Sequence, residues 1–269
     1  MFNPNGFSEF SYGFAVTYEF VTRVDPPVLS APSLPSLVRE GGTGGGYDVR
    51  MDLPGLAVFL QFKIVEQMRR GTAKEYASPG FPLSLPFYRM HLRNTARSDQ
   101  HALLVKLEQS GGLVYYIAPG FDSIQLLNQY FSSLATIENS IYLKPSEIGD
   151  IDDAGEHSIA FQSASSAVVY RFSEMMVEIR RSSLDLFKQV AFAHRRTDLP
   201  LNAAVDNLLI GLESELRRRD LPLLPPDRVI GRPERAEERR HRSKLDDLAF
   251  YAQTYCDAGT LIVQQRPLR

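Results

Sequence analysis

Residues 44–65, GGGYDVRMDLPGLAVFLQFKIV, constrain this chain more than any other stretch. A glycine cluster ends at Gly46, and residues 47–51 then alternate as a short strand does. Leu53, Pro54 and Gly55 supply turn residues. Residues 56–65 form an almost unbroken apolar run, predicted as one strand buried on both faces. Only Gln61 and Lys63 interrupt it. Positions two apart share a face of a strand, so these side chains point the same way. Asp48, on the partner strand, can face them. A lysine in a buried strand costs free energy unless it is paired or solvated in a site.

Two explanations of that cost stand open. In the first, Asp48 holds a hard divalent cation through oxygen and the amide oxygen of Gln61 supplies a second ligand. Lys63 then orients an attacking water or stabilises charge developing on a phosphate. In the second, Asp48 belongs to the exposed rim of a hairpin and Lys63 snorkels out at a strand end.

Asp48, followed thirteen residues later by Gln61-Phe62-Lys63, resembles the core motif of the PD-(D/E)xK nuclease superfamily. It is closest in kind to the Mrr-type variant, in which glutamine replaces the motif's acidic residue. Glu40 is the candidate for the upstream glutamate that often completes such a metal site, ahead of Glu9 and Glu19. One departure is visible: Tyr47 precedes Asp48, where the family commonly has proline or glycine. The resemblance spans roughly the first 120 residues. It implies an α/β fold with a restriction-endonuclease-like α-β-β-β-α-β core. It also implies hydrolysis of phosphodiester bonds with Mg²⁺ or Mn²⁺ held by Asp48, Gln61 and Glu40, most simply by a cytoplasmic DNA endonuclease of anti-phage defence or repair. The alternative is a non-catalytic subunit with a nuclease-like fold, acting through a protein partner or as a homo-oligomer.

A net charge of −2 provides no global positive field for nucleic acid, so any DNA contact needs a local basic surface. One candidate is the strand at residues 87–93, which sets Arg89, His91 and Arg93 on one face. The other is the arginine-rich stretch at 228–244, with Arg239, Arg240 and Arg242. Each also reads as an ordinary solvated surface, a charged strand edge or a helix laced with ion pairs. The single cysteine, Cys256, excludes an intramolecular disulfide framework and a multi-cysteine zinc site. Neither a secretory leader nor an apolar run of membrane-spanning length is expected.

Along the chain, residues 7–24 are predicted as a helix capped by Asn5 or Ser8, with Phe7, Phe10 and Phe14 facing the core and Tyr18 beside them. A proline-rich connector (25–35), a short strand (36–40) and a glycine turn (41–46) follow. A short helix is predicted at 65–70, then a helix from Ser98 with an apolar stripe of Leu103, Leu104 and Leu107. A strand at 113–118 and a helix at 123–135 complete the expected core. Asp150, Asp152, Asp153, Glu156 and His157 read as a solvated acidic loop rather than a metal site. Residues 1–175 are thus expected as the α/β core, and 176–269 as a mostly helical region for substrate or partner binding.

Overall fold

The computed structural model describes residues 6–25, 27–28, 55–94, 99–151, 154–173, 175–196, 201–221, 223, 244, 247–248, 251, 255–256 and 259–264. The strands expected at 36–40 and 47–51, and with them Glu40 and Asp48, lie outside the described residues, as do Arg239, Arg240 and Arg242.

In chain order the elements are α1 (Glu9–Arg23), β1 (Gly55–Phe62), β2 (Val65–Met68), a short 3₁₀ turn (Glu75–Ala77), β3 (Phe87–Leu92), α2 (Gln100–Gln109), β4 (Leu113–Pro119), α3 (Ile124–Ser132) and β5 (Ser140–Leu143). There follow α4 (Pro145–Ile148), β6 (His157–Phe161), β7 (Val168–Phe172), β8 (Met176–Arg180), α5 (Leu186–Arg195), α6 (Leu201–Arg218) and β9 (Gly259–Gln264). The class is α/β. Among the described residues, a four-stranded sheet has the order β5-β4-β1-β9, and a five-stranded sheet the order β2-β3-β6-β7-β8. The expected α-β-β-β-α-β string drew its three strands from 36–40, 47–51 and 56–65; of these only the last is described, as β1, and the β2 and β3 that follow belong to the other sheet from β1 and β4.

The chain divides into two compact units, one of Met1–Val24, Gln61–His101 and Tyr115–Val190, the other of Asp25–Leu60, Ala102–Val114 and Ala191–Arg269. In the first, Ser8 caps α1 by accepting a hydrogen bond from the Ser11 amide at 3.0 Å. The helix does not bury the aromatic face expected of it. Phe10, Phe14 and Tyr18 are exposed, while Tyr12, Val16, Glu19 and Phe20 turn inward. The polar members of that inward face are satisfied where they go. Tyr12 donates to Ser140 Oγ at 2.7 Å, and Glu19 accepts from the Ile137 amide at 2.8 Å and from Arg23 at 2.6 Å.

The run at 56–65 is two strands rather than one. β1 ends at Phe62, and the chain enters the five-stranded sheet at Val65. Residues 65–68, expected as helix, pair antiparallel with β3 from Val65↔Met90 to Met68↔Phe87. Four residues are too few for a helical or strand period to declare itself, and the long-range partner decides. The expected boundary at 175 falls between β7 and β8, which pair from Phe172↔Met176 to Val168↔Arg180. β8 was not anticipated by the helical reading of the region beyond 175.

In the second unit Leu103, Leu104 and Leu107 of α2 are fully buried, as are Val205, Leu208, Leu212 and Leu216 of α6. A Cβ at Gly211 would stand 1.9 Å from Ser110 Oγ, so glycine is what permits the close approach there. Among the described residues, no helix is long and apolar enough to cross a membrane.

Candidate functional site

Gln61, Lys63 and Gln100, all buried, meet at the end of β1. Lys63 has left the strand, but its amide still donates to the Ile117 carbonyl of β4 at 3.0 Å. Its Nζ donates to Gln100 Oε1 at 3.3 Å. Gln100 Nε2 donates in turn to Gln61 Oε1 at 3.1 Å, and Gln61 Nε2 to the Phe62 carbonyl at 3.1 Å. An ammonium can only donate, so it sets the direction of the Gln100 amide, and Gln100 sets that of Gln61. The sequence placed Gln61 and Lys63 on one face; the structure links them through a third residue and buries the ammonium instead of letting it snorkel to solvent.

Gln100 is the first residue of α2, and its neighbour His101 anchors that turn. His101 Nε2 lies 2.8 Å from the Gly149 carbonyl and Nδ1 lies 3.1 Å from the Tyr116 hydroxyl. A carbonyl only accepts, so Nε2 carries the hydrogen and Nδ1 accepts from tyrosine. Burial pushes the imidazole below the ordinary histidine value, which favours this neutral form. The Gly149 carbonyl is itself framed by Arg171, whose Nη1 donates to the carbonyls of Ile148 at 2.8 Å and Asp150 at 3.0 Å. Sequence reading missed both Gln100 and His101. The signal for Gln100 was present, since it falls three, four and seven residues before Leu103, Leu104 and Leu107 on the inward face of α2.

The close approach of α1 shapes the other side of Phe62. A Cβ added at Gly13 would stand 2.7 Å from the Phe62 ring, and Tyr12 meets that ring edge-on with centroids 6.3 Å apart.

Arg89, expected as a phosphate contact, is engaged elsewhere. Its Nη2 pairs with Glu66 at 2.5 Å and its Nη1 with Glu75 at 3.1 Å, and Ser158 donates to Glu75 at 3.0 Å. The guanidinium is partly buried between two carboxylates, so a phosphate would have to displace one of them. Arg93 is exposed. In the acidic loop, Asp150 and Glu156 are exposed, with Glu156 paired to Lys74 at 2.5 Å, whereas His157 is buried on β6.

Among the described residues, no group of three or more His, Cys, Asp or Glu side chains could hold a metal ion. Gln61 Oε1 keeps a lone pair beyond the one that Gln100 uses. One neutral oxygen beside an ammonium does not hold a hard divalent cation, which takes about six oxygen ligands, carboxylates among them. The described residues alone therefore do not fit a metal, and a metal site depends on Asp48 and Glu40. Compared with protein-family models, with curated proteins and with solved structures, the chain matches none.

Proposed function

We propose that the chain is a divalent-metal-dependent nuclease with a restriction-endonuclease-like core, a DNA endonuclease of cytoplasmic defence or repair. The observation that supports it is the buried Lys63 ammonium, aligned with Gln61 through Gln100 at the end of β1. Burying an ammonium costs stability, and groups kept at such a cost cluster at functional sites. On this reading Asp48 and Glu40 are the carboxylates that, with Gln61, hold Mg²⁺ or Mn²⁺. The cation, when bound, supplies Lewis acidity at a phosphoryl oxygen and a more acidic water. Lys63 contributes positive charge where negative charge grows on the phosphate, or orients the water. Gln100 keeps the ammonium and the Gln61 oxygen in register. Arg93, Arg239, Arg240 and Arg242 remain the phosphate contacts of this reading.

The experiment is cleavage of linear, circular and single-stranded DNA, and of RNA, with Mg²⁺, Mn²⁺ or chelator, by wild type, Asp48→Ala and Gln61→Ala. Metal-dependent cleavage lost in both folded variants supports the proposal. Cleavage that persists in both contradicts the site.

A second reading, a non-catalytic subunit, is favoured by the mutual engagement of Lys63, Gln100 and Gln61. It also suits the outward aromatic face of Phe10, Phe14 and Tyr18. It predicts no cleavage, and a stable complex or homo-oligomer that Phe14→Ser disrupts.

A further inference from the structure

The first compact unit contains a cleft of about 720 Å³ that shares no residue with the Gln61–Gln100–Lys63 group. Its volume falls within the roughly 300–1,000 Å³ typical of small-ligand sites and far exceeds the room one oxyanion fills. Two guanidinia line it, each over an aromatic ring: Arg181 lies 5.0 Å from the Tyr142 centroid and Arg23 lies 4.8 Å from that of Phe187. They differ in compensation. Arg23 is paired with Glu19 at 2.6 Å. Arg181 donates from Nη1 to the carbonyls of Ala164 at 2.7 Å and Ser166 at 2.9 Å, its Nε is buried without a partner, and it makes no ion pair among the described residues.

A largely desolvated guanidinium whose side-chain hydrogen bonds go to neutral carbonyls, over the Tyr142 ring and with the Glu147 carboxylate acting on it only across a distance, is a positive charge without a direct counter-ion among the described residues. Burial accordingly holds Arg181 below the ordinary arginine value. Of the other charges on the cleft, Lys188 and Asp185 neutralise each other at 2.8 Å, and Glu138 is exposed. Ser165, Ser182 and Ser183 also line the cleft, and Ile137, Ala167 and Phe187 add apolar surface to it. A cation without a direct counter-ion, serine side chains and apolar surface suit an anionic head on a ring-bearing body.

We propose that this cleft binds a nucleotide through its phosphate monoester, the phosphate at Arg181 and the serine hydroxyls and the ring body against the apolar surface. The proposal stands independently of the nuclease reading. The phosphate belongs either to a free mononucleotide or to the 5′ end of a strand.

The test is calorimetric titration of the full chain with adenosine 5′-monophosphate, the 5′-phosphorylated dinucleotide pApA, adenosine and inorganic phosphate. Wild type binds at least one of the two phosphate monoesters saturably, about tenfold or more tighter than inorganic phosphate, and does not bind adenosine. Binding of the mononucleotide at least as tight as that of pApA assigns the site to free nucleotide; tighter binding of pApA assigns it to a strand end. Arg181→Gln weakens binding by about tenfold or more. Ala167→Trp, which fills the cleft from an exposed position without touching the arginine's carbonyl contacts, does the same, and Gln100→Ala leaves binding unchanged. Absence of saturable binding of both monoesters at millimolar concentration would overturn the proposal. So would inorganic phosphate binding as tightly as either monoester, or binding that survives both cleft substitutions in folded protein.

Discussion

Gln100 Nε2 donates to Gln61 Oε1 at 3.1 Å, which leaves the Gln100 oxygen facing the Lys63 ammonium. A residue at the start of a helix thus links the end of a strand, Gln61, to the lysine just beyond it. The arrangement is polar and buried, so losing one member leaves its neighbours one partner short.

Gln100→Leu therefore removes one acceptor from the buried ammonium and the donor from the buried Gln61 oxygen together. We expect a loss of about 1–3 kcal/mol in unfolding free energy, measured by urea denaturation. Gln100→Glu restores an acceptor for Lys63 but none of the donors for Gln61, so it recovers stability better than it recovers cleavage. Equal recovery of both would contradict the positioning role.

The anchor beside it makes a spectroscopic prediction. His101 should show the Nε2–H tautomer in long-range ¹H–¹⁵N spectra and titrate below the ordinary histidine value, because burial disfavours its charged form. Its folded pKa lies below its unfolded one, so the unfolded chain binds the proton first as pH falls. The associated stability is complete above about 6.5 and declines as pH falls toward the folded value. A histidine that titrates above 6.5 would contradict the dominance of burial over the hydrogen bond to Gly149, which acts in the opposite direction.

Much of this region could be read from sequence where one element's own period carried the information. Leu103, Leu104 and Leu107 announced α2, and the apolar run before Pro119 announced β4, all seven residues of which are buried. What escaped was decided by partners distant in the chain. Phe10, Phe14 and Tyr18 outweigh Tyr12 and Glu19 in hydrophobicity, yet the inward face followed the hydrogen bonds offered by Ser140 and the Ile137 amide. Arg89 looked like a free basic residue because Glu66 and Glu75 lie 23 and 14 residues away. Half of the candidate site was legible as a motif, Gln61 with Lys63. Gln100 and His101 act through contacts that no short motif encodes, and Asp48 and Glu40 lie outside the described residues.

On α6, hydrogen bonds from Arg218 and then Arg219 pull the Glu215 carboxyl down to about 2 from an ordinary value near 4.5. A depressed folded pKa means that the stabilisation is complete above about pH 4.5 and is lost as pH falls toward about 2. Because the Arg218 side chain is 65% exposed, screening reduces the effect to on the order of 1–2 kcal/mol. Glu215→Gln should accordingly unfold at lower urea concentration than wild type at pH 7, and the gap should close between pH 4.5 and pH 2. A gap that does not change with pH would contradict this.

Gly13→Ala sets helix propensity against packing. Alanine favours a helix interior by about 1 kcal/mol, but its Cβ would press 2.7 Å from the Phe62 ring. We expect packing to prevail, with a net loss of about 1–2 kcal/mol by thermal or urea unfolding. Because Phe62 lies between Gln61 and Lys63, cleavage should fall as well. A stabilised and fully active Gly13→Ala would show that the ring moves without consequence.

The most direct test of the central claim is the initial rate of Mg²⁺-dependent DNA cleavage by Lys63→Met beside wild type, with unfolding curves for both. Methionine keeps much of the lysine's length and removes a buried charge, but it takes from the buried Gln100 oxygen the donor that Lys63 supplies, so the fold should persist at a cost of about 1–3 kcal/mol. Cleavage should nevertheless fall by a factor of about 10³ or more, the scale of a lost electrostatic contact to developing charge. A folded Lys63→Met that cleaves within a factor of two of wild type would contradict a catalytic role for this lysine.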